Sequence, residues 1–129
     1  MATRILIVDD SPAIRDAVRS CLEHYSNVEI CGEAEDGRDA VRAAYRLHPD
    51  VVILDVSMPR MNGLDAAREM VNFTHRPAIV LFTALSRSEL PRDIRQLGIT
   101  SVISKNDSGV IERLRASVRE AADANPFAA

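Results

Sequence analysis

Cysteine is scarce in this 129-residue chain, which carries only Cys21 and Cys31. Two isolated thiols with no histidine at ligand spacing build neither a disulfide framework nor a metal centre. Both read as small buried hydrophobes. The three histidines, His24, His48 and His75, are scattered and form no ligand pattern. Positive charge is not in excess either: 16 Lys and Arg against 19 Asp and Glu leave a formal net charge of −3. That balance argues against a nucleic-acid face and against an anionic-membrane face. No apolar stretch approaches the length of a bilayer span. The N-terminus, one arginine, a short apolar run and two aspartates, is not built like a signal peptide, so a cytoplasmic location is expected. Internal repeats and low-complexity segments are absent. No Ser/Thr/Gly-rich phosphate loop follows the first apolar run, which weighs against a flavin-binding protein.

What remains suits one soluble domain with a real core, at 47% apolar and 27% charged residues. Short apolar runs alternate with segments of helical period. Residues 4–8 read as a strand. Ser11-Pro12 then opens a helix, a cap followed by the residue suited to the first helical position, with Ile14, Ala17, Val18, Cys21 and Leu22 inward. A strand is predicted over 28–33. Asp36 caps a helix carrying Ala40, Val41, Ala44 and Leu47 on one face, which stops before Pro49. Val51 to Leu54 is continuously apolar, as for a strand covered on both faces. Residues 57–63 form a loop. A third helix carries Leu64, Ala67, Met70 and Val71, and Ala78 to Phe82 is the next buried strand.

A fourth helix is expected with Pro91 in its first turn, running through Ile94 and Leu97 to a stop at Gly98. Residues 101–104 form the fifth strand. Asp107 or Ser108 caps a last helix with Val110, Ile111, Leu114 and Val118 inward. Strand and helix alternating five times imply a parallel sheet with right-handed crossovers. The domain is drawn at 1–123, with 124–129 as a tail or the start of a linker.

Polar residues stand where these apolar runs stop: Asp9 and Asp10, Asp55, Thr83 and Lys105. If the runs are neighbouring parallel strands, all five converge on the sheet edge where open α/β folds hold ligands. Clustered carboxylates repel when ionised. A hard divalent cation resolves that conflict, and Mg2+ takes one or two carboxylates together with water and phosphate oxygens. Asp10 and Asp55 therefore read as direct ligands, with Asp9 acting through water. Lys105 supplies a positive charge and Thr83 a hydroxyl for phosphoryl oxygens.

At these residues the chain resembles the receiver domains of bacterial two-component response regulators. The likeness rests on Ile7-Val8-Asp9-Asp10, the segment Gly32 to Gly37, and Pro49 to Asp55. Met58 to Leu64, Phe82-Thr83-Ala84 and Ser104-Lys105 complete it. The resemblance implies a flavodoxin-like (βα)5 three-layer sandwich of strand order 2-1-3-4-5. It implies that Asp55 accepts a phosphoryl group from a sensor histidine kinase or phosphotransfer protein. Mg2+ would rest on Asp10, Asp55 and the backbone carbonyl of Ser57. Thr83 would be the switch hydroxyl, and Lys105 would touch the phosphoryl group. Downstream stands an output domain or protein target, with homodimerisation on phosphorylation as a further expected interaction. The domain would assist its own phosphorylation and dephosphorylation without being an enzyme.

Two positions depart from the family pattern. Asn106 stands where a proline commonly follows the lysine, and Val102 where an aromatic is common. A receiver-like interaction module that works without phosphorylation is therefore the alternative. A Mg2+-dependent phosphatase is the rival enzyme reading. It would want a second acid two residues after the nucleophile, and Ser57 stands there instead.

Overall fold

A computed structural model of the chain describes residues 2–25 and 27–124. Five strands form one parallel sheet: β1 (Thr3–Val8), β2 (Val28–Ala34), β3 (Val51–Leu54), β4 (Ala78–Thr83) and β5 (Ile99–Ser104), in the order β2-β1-β3-β4-β5. Four α-helices accompany them: α1 (Pro12–Leu22), α2 (Gly37–Leu47), α3 (Gly63–Met70) and α4 (Val110–Ala124). This is the expected flavodoxin-like sandwich, with one α-helix fewer.

The continuous apolar runs follow from burial on both faces. Successive side chains alternate across a strand. Leu6, Val8, Val52, Leu54 and Leu81 pack under α2 and α3 against Ala40, Ala44, Ala66 and Met70. Ile5, Ile7, Val51, Ile53 and Val80 face α1 and α4, against Val18, Leu22, Leu114 and Val118. The central strand β3 is buried at every position, so no polar residue is tolerated until the strand ends at Asp55.

Helix starts obey local chemistry. Ser11 Oγ accepts from Ile14 N, Asp36 from Asp39 N at 2.8 Å, and Asn62 from Asp65 N at 2.9 Å. Ser11 and Asp36 are the caps the sequence predicts, whereas Asn62 falls in what reads as loop. α2 ends at His48, which takes the left-handed conformation (φ 50°) one residue before Pro49.

The fourth helix does not form. Two short 3-10 turns, Arg87–Glu89 and Ile94–Leu97, take its place. Glu89 reaches back to the Ser86 amide at 3.1 Å and starts the first turn. Leu90 then becomes extended (ψ 152°), as a residue before proline prefers. Pro91 has no N–H to continue the ladder, so it lies between the turns and not in a first helical turn. Gly98 closes the second turn in the left-handed region (φ 78°), as expected.

The last helix also differs. It opens directly after Gly109 (φ 68°), and Asp107 instead pairs with Arg113 at 2.8 Å. Ile111, expected inward, lies in the first turn of α4 and is 46% exposed, while Leu114, Val118 and Ala121 are the buried residues of that helix. Of the expected tail, only Ala124 lies among the described residues, and it completes α4.

Candidate functional site

The carboxyl edge of the sheet is built by extending strand hydrogen bonding by one residue. Asp9 N donates to Ala34 O at 3.1 Å, Asp55 N to Val8 O at 3.0 Å, and Lys105 N to Thr83 O at 2.9 Å. The side chains of Asp9, Asp55 and Lys105 are thus launched from rigid backbone. Asp9, Asp10 and Asp55 each offer a carboxylate oxygen, all within 4.8 Å of one another. Lys105 Nζ lies 2.6 Å from Asp9 Oδ2 and 3.1 Å from Asp55 Oδ2. It also sits 5.7 Å from the Phe82 ring centroid, a face that attracts cations.

The carboxylate hydrogen bonds set Asp10 apart from the other two acids. Asp9 Oδ1 accepts from Ser11 N at 3.0 Å, so both oxygens of Asp9 are engaged. Asp55 Oδ1 accepts from Val56 N at 2.8 Å, so with Lys105 on Oδ2 both oxygens of Asp55 are engaged as well. Asp10 is exposed, and its carboxylate has no hydrogen bond or ion pair to another described residue. Burial pushes the Asp55 carboxyl above the ordinary carboxylate range, although Lys105 pulls the other way. Burial works to lower the Lys105 ammonium, yet its bonds to Asp9 and Asp55 outweigh that and leave it raised. The donor set is all oxygen, carries more negative than positive charge and is open at Asp10. That suits a hard divalent ion.

Thr83 ends β4 one strand away and is wholly buried. Its Oγ1 accepts from Leu85 N at 3.2 Å, so the hydroxyl and the following loop are tied together. Ser57 lies exposed in the β3–α3 loop, two residues beyond Asp55. That loop is held at close range on two sides. Gly63 N donates to Val56 O at 2.8 Å and Gly37 N to Met61 O at 2.9 Å. A Cβ at Gly63 would stand 2.0 Å from the Asp55 carbonyl oxygen.

The two departures resolve differently. All described peptide bonds are trans, yet Lys105 still reaches both acids. Asn106 N donates to Ser104 Oγ at 3.1 Å and shapes the turn after the lysine. Val102 lines an open pocket of about 420 Å³ with Ala84, Leu85, Ser86, Asn106 and Arg113.

Three features escaped the sequence. Arg60 takes a left-handed conformation (φ 65°) and donates to the buried Asp36 at 2.7 Å. With the Asp39 amide as the larger influence, it holds the Asp36 carboxyl below the usual range. His48 and His75 meet edge to face, with ring centroids 5.3 Å apart. Arg15 reaches the backbone of Asp9. The first two join residues far apart in sequence, Arg15 and Asp9 lie six apart, and none has a local pattern that announces it.

Residues 5–119 match the response regulator receiver domain family. A protein-glutamate methylesterase/protein-glutamine glutaminase of Pyrococcus abyssi is 36% identical over 128 residues, covering 92% of this chain and 34% of that protein. The chain therefore spans about a third of the length of that curated relative. Among solved structures, the response regulator domain of Thermotoga maritima CheB superposes with a TM-score of 0.86. The two are 26% identical, with 98% of this chain and 100% of that one covered. A CheX–CheY complex with BeF3 and Mg2+ from Borrelia burgdorferi gives a TM-score of 0.78 at 25% identity, covering 91% of this chain and 87% of that one.

Proposed function

The chain belongs to the response regulator receiver domain family, and on that premise we propose that it is a phosphorylation-dependent signalling switch with Asp55 as phosphoacceptor. The observation that carries the reading is the meeting of Lys105 Nζ with Asp9 and Asp55, at 2.6 and 3.1 Å, beside three carboxylates that converge within 4.8 Å. Structural economy does not assemble such a cluster, because like charges at that range cost stability.

Asp10 and Asp55 would hold Mg2+ directly with the carbonyl of Ser57, and Asp9 would act through water. When bound, Mg2+ offsets charge on the transferring phosphoryl group. An Asp55 carboxylate oxygen attacks phosphorus in line. The O–P bond forms as the N–P bond of a partner's phosphohistidine breaks, and the leaving imidazole nitrogen takes up a proton. Lys105 sits where it meets a phosphoryl oxygen on Asp55. Thr83 turns its hydroxyl toward the new oxygens. Since Leu85 N is bonded to that hydroxyl, the loop after β4 moves with it and biases the surface around residues 84–98. The product is a labile acyl phosphate, so the mark is temporary.

The donor would be a sensor histidine kinase or phosphotransfer protein. The receiver of the change would be an output domain or a protein target, with a second copy of this domain as a further partner.

An NMR-monitored Mg2+ titration followed by beryllofluoride tests this reading. The expected result is Mg2+-dependent shifts at residues 9, 10 and 55, then beryllofluoride-dependent shifts at 83–86 and 105. A domain indifferent to both additions would instead be an interaction module that works without phosphorylation.

A further inference from the structure

Asp10 is the acid with the least support. Its carboxylate has no described side-chain or backbone partner, so its direction is set by the backbone that carries it. That backbone is gripped by one side chain from α1. Arg15 Nη1 donates to the carbonyl oxygen of Asp9 at 2.7 Å, fixing the peptide plane that joins Asp9 to Asp10. Arg15 is itself fixed by Glu33 at the end of β2, with Nε to Oε1 at 2.9 Å, and its side chain is only 17% exposed. Glu33 is pinned in turn by Arg19, through Nε at 3.0 Å and Nη2 at 2.6 Å to Oε2. The two arginines stand four residues apart on one helical face. Only Arg15 reaches the acidic turn.

We propose that Arg15 is a positioning residue for the metal site: it orients the Asp9–Asp10 peptide, and through it the exposed Asp10 carboxylate, for a divalent cation. This rests on the receiver reading above and adds to it a support that lies outside the acids, the lysine and the threonine. The chemistry is that of groups behind a metal ligand, which set its direction without touching the ion. A guanidinium suits the task because its planar fork bonds a carboxylate and a carbonyl at once. A lysine has one nitrogen, which cannot occupy both the Nε position that bonds Glu33 and the Nη1 position that bonds the Asp9 carbonyl.

Charge alone predicts the opposite sign from positioning. Removing a positive charge beside a cation site tightens cation binding, whereas releasing the peptide weakens it. Mg2+ dissociation constants measured by titration calorimetry on the full chain separate the two. Arg15→Gln should weaken Mg2+ by about tenfold, the lower end of what losing a supporting group costs. Arg19→Gln removes the same charge from the same glutamate without touching Asp9, and should leave the affinity unchanged or tighter. Arg15→Lys, with no change in charge, should fall between wild type and Arg15→Gln, and it decides the matter alone if Arg15→Gln does not fold.

An Arg15→Gln affinity equal to or tighter than wild type overturns the proposal. So does equal weakening in Arg15→Gln and Arg19→Gln, or an Arg15→Lys chain that binds as wild type does. A wild-type chain that binds no Mg2+ would sink the receiver reading itself, a failure distinct from these.

Discussion

Gly63→Ala makes two opposite predictions compete. Gly63 opens α3 after the Asn62 cap, and alanine is the better helix former by about 0.5–1 kcal/mol. On propensity alone the substitution stabilises. Packing says otherwise. The added Cβ would lie 2.0 Å from the Asp55 carbonyl oxygen, 2.9 Å from its carbon and 3.1 Å from the Val56 Cα. These are backbone atoms, which no rotamer change moves aside. Relief to ordinary contact needs a separation of about 1.4 Å between the start of α3 and the end of β3, and overpacking of that kind costs about 1–3 kcal/mol. The steric cost exceeds the propensity gain, and melting should fall by about 4 °C per kcal/mol for a domain of this size. The displaced backbone carries Asp55, the proposed phosphoacceptor, and a misplacement of about 1 Å lowers reactivity by about 10²-fold. Thermal melting and the rate of labelling by a small phosphodonor such as acetyl phosphate read both effects. Gly32→Ala is the control: its Cβ would stand 2.8 Å from Leu47 Cδ1, the end of a flexible side chain, so melting and labelling should stay near wild type. A Gly63→Ala chain with wild-type melting and wild-type labelling would refute the reasoning.

Asp36→Ala removes the α2 cap and the anchor of Arg60, and should lower stability by about 1–2 kcal/mol at neutral pH. The Asp36 carboxyl is held low in the folded chain, first by the Asp39 amide. Its contribution is therefore full above the ordinary carboxylate value near about 3.9 and is lost as pH falls below it. Denaturation at pH 7 and at acid pH should show the gap between mutant and wild type closing. Asp55→Asn has the opposite sign. Burial raises the folded carboxyl above its unfolded value, so the ionised form opposes folding at neutral pH. The variant should melt higher than wild type in Mg2+-free buffer at pH 7, with the difference vanishing below about pH 3.9. A lower melting temperature at pH 7 would show that Lys105 outweighs burial. Ser57→Asn and Leu85→Ala should each change the lifetime of the acyl phosphate, followed as loss of label after the donor is removed. Unchanged lifetimes in both would remove these two residues from the hydrolysis step.

The sequence was most legible where one local rule decided the outcome. β3 has four consecutive apolar residues and is buried at all four, and the acids that follow β1 and β3 stand where strand ends had to put them. Ser11-Pro12 and Asp36 fixed two helix starts through a side chain bonding its own third residue. The fourth helix failed because two signals conflicted. Ser86 and Glu89 start a turn that Pro91 keeps from continuing as a helix, and the chain settled on two short turns. Ile111 was misplaced although its spacing sets it on the face of Leu114 and Val118: it lies in the first turn of α4 and is exposed there. Arg15, Arg60 and the His48–His75 pair were invisible for a different reason. Apart from the Arg15–Asp9 bond, their partners lie on other elements that only the fold brings within reach. Lys105 shows the converse: with a trans bond to Asn106 it meets both acids, from a backbone held by its own amide bond to Thr83 O.

The central claim is that the carboxyl of Asp55 becomes an acyl phosphate. The most direct measurement is to treat the chain with acetyl phosphate and Mg2+, reduce with borohydride, and map the product by peptide mass spectrometry. The account predicts a single conversion of Asp55 to homoserine, absent without Mg2+. A chain left unmodified, or one reduced at Asp9 or Asp10 in place of Asp55, would contradict it.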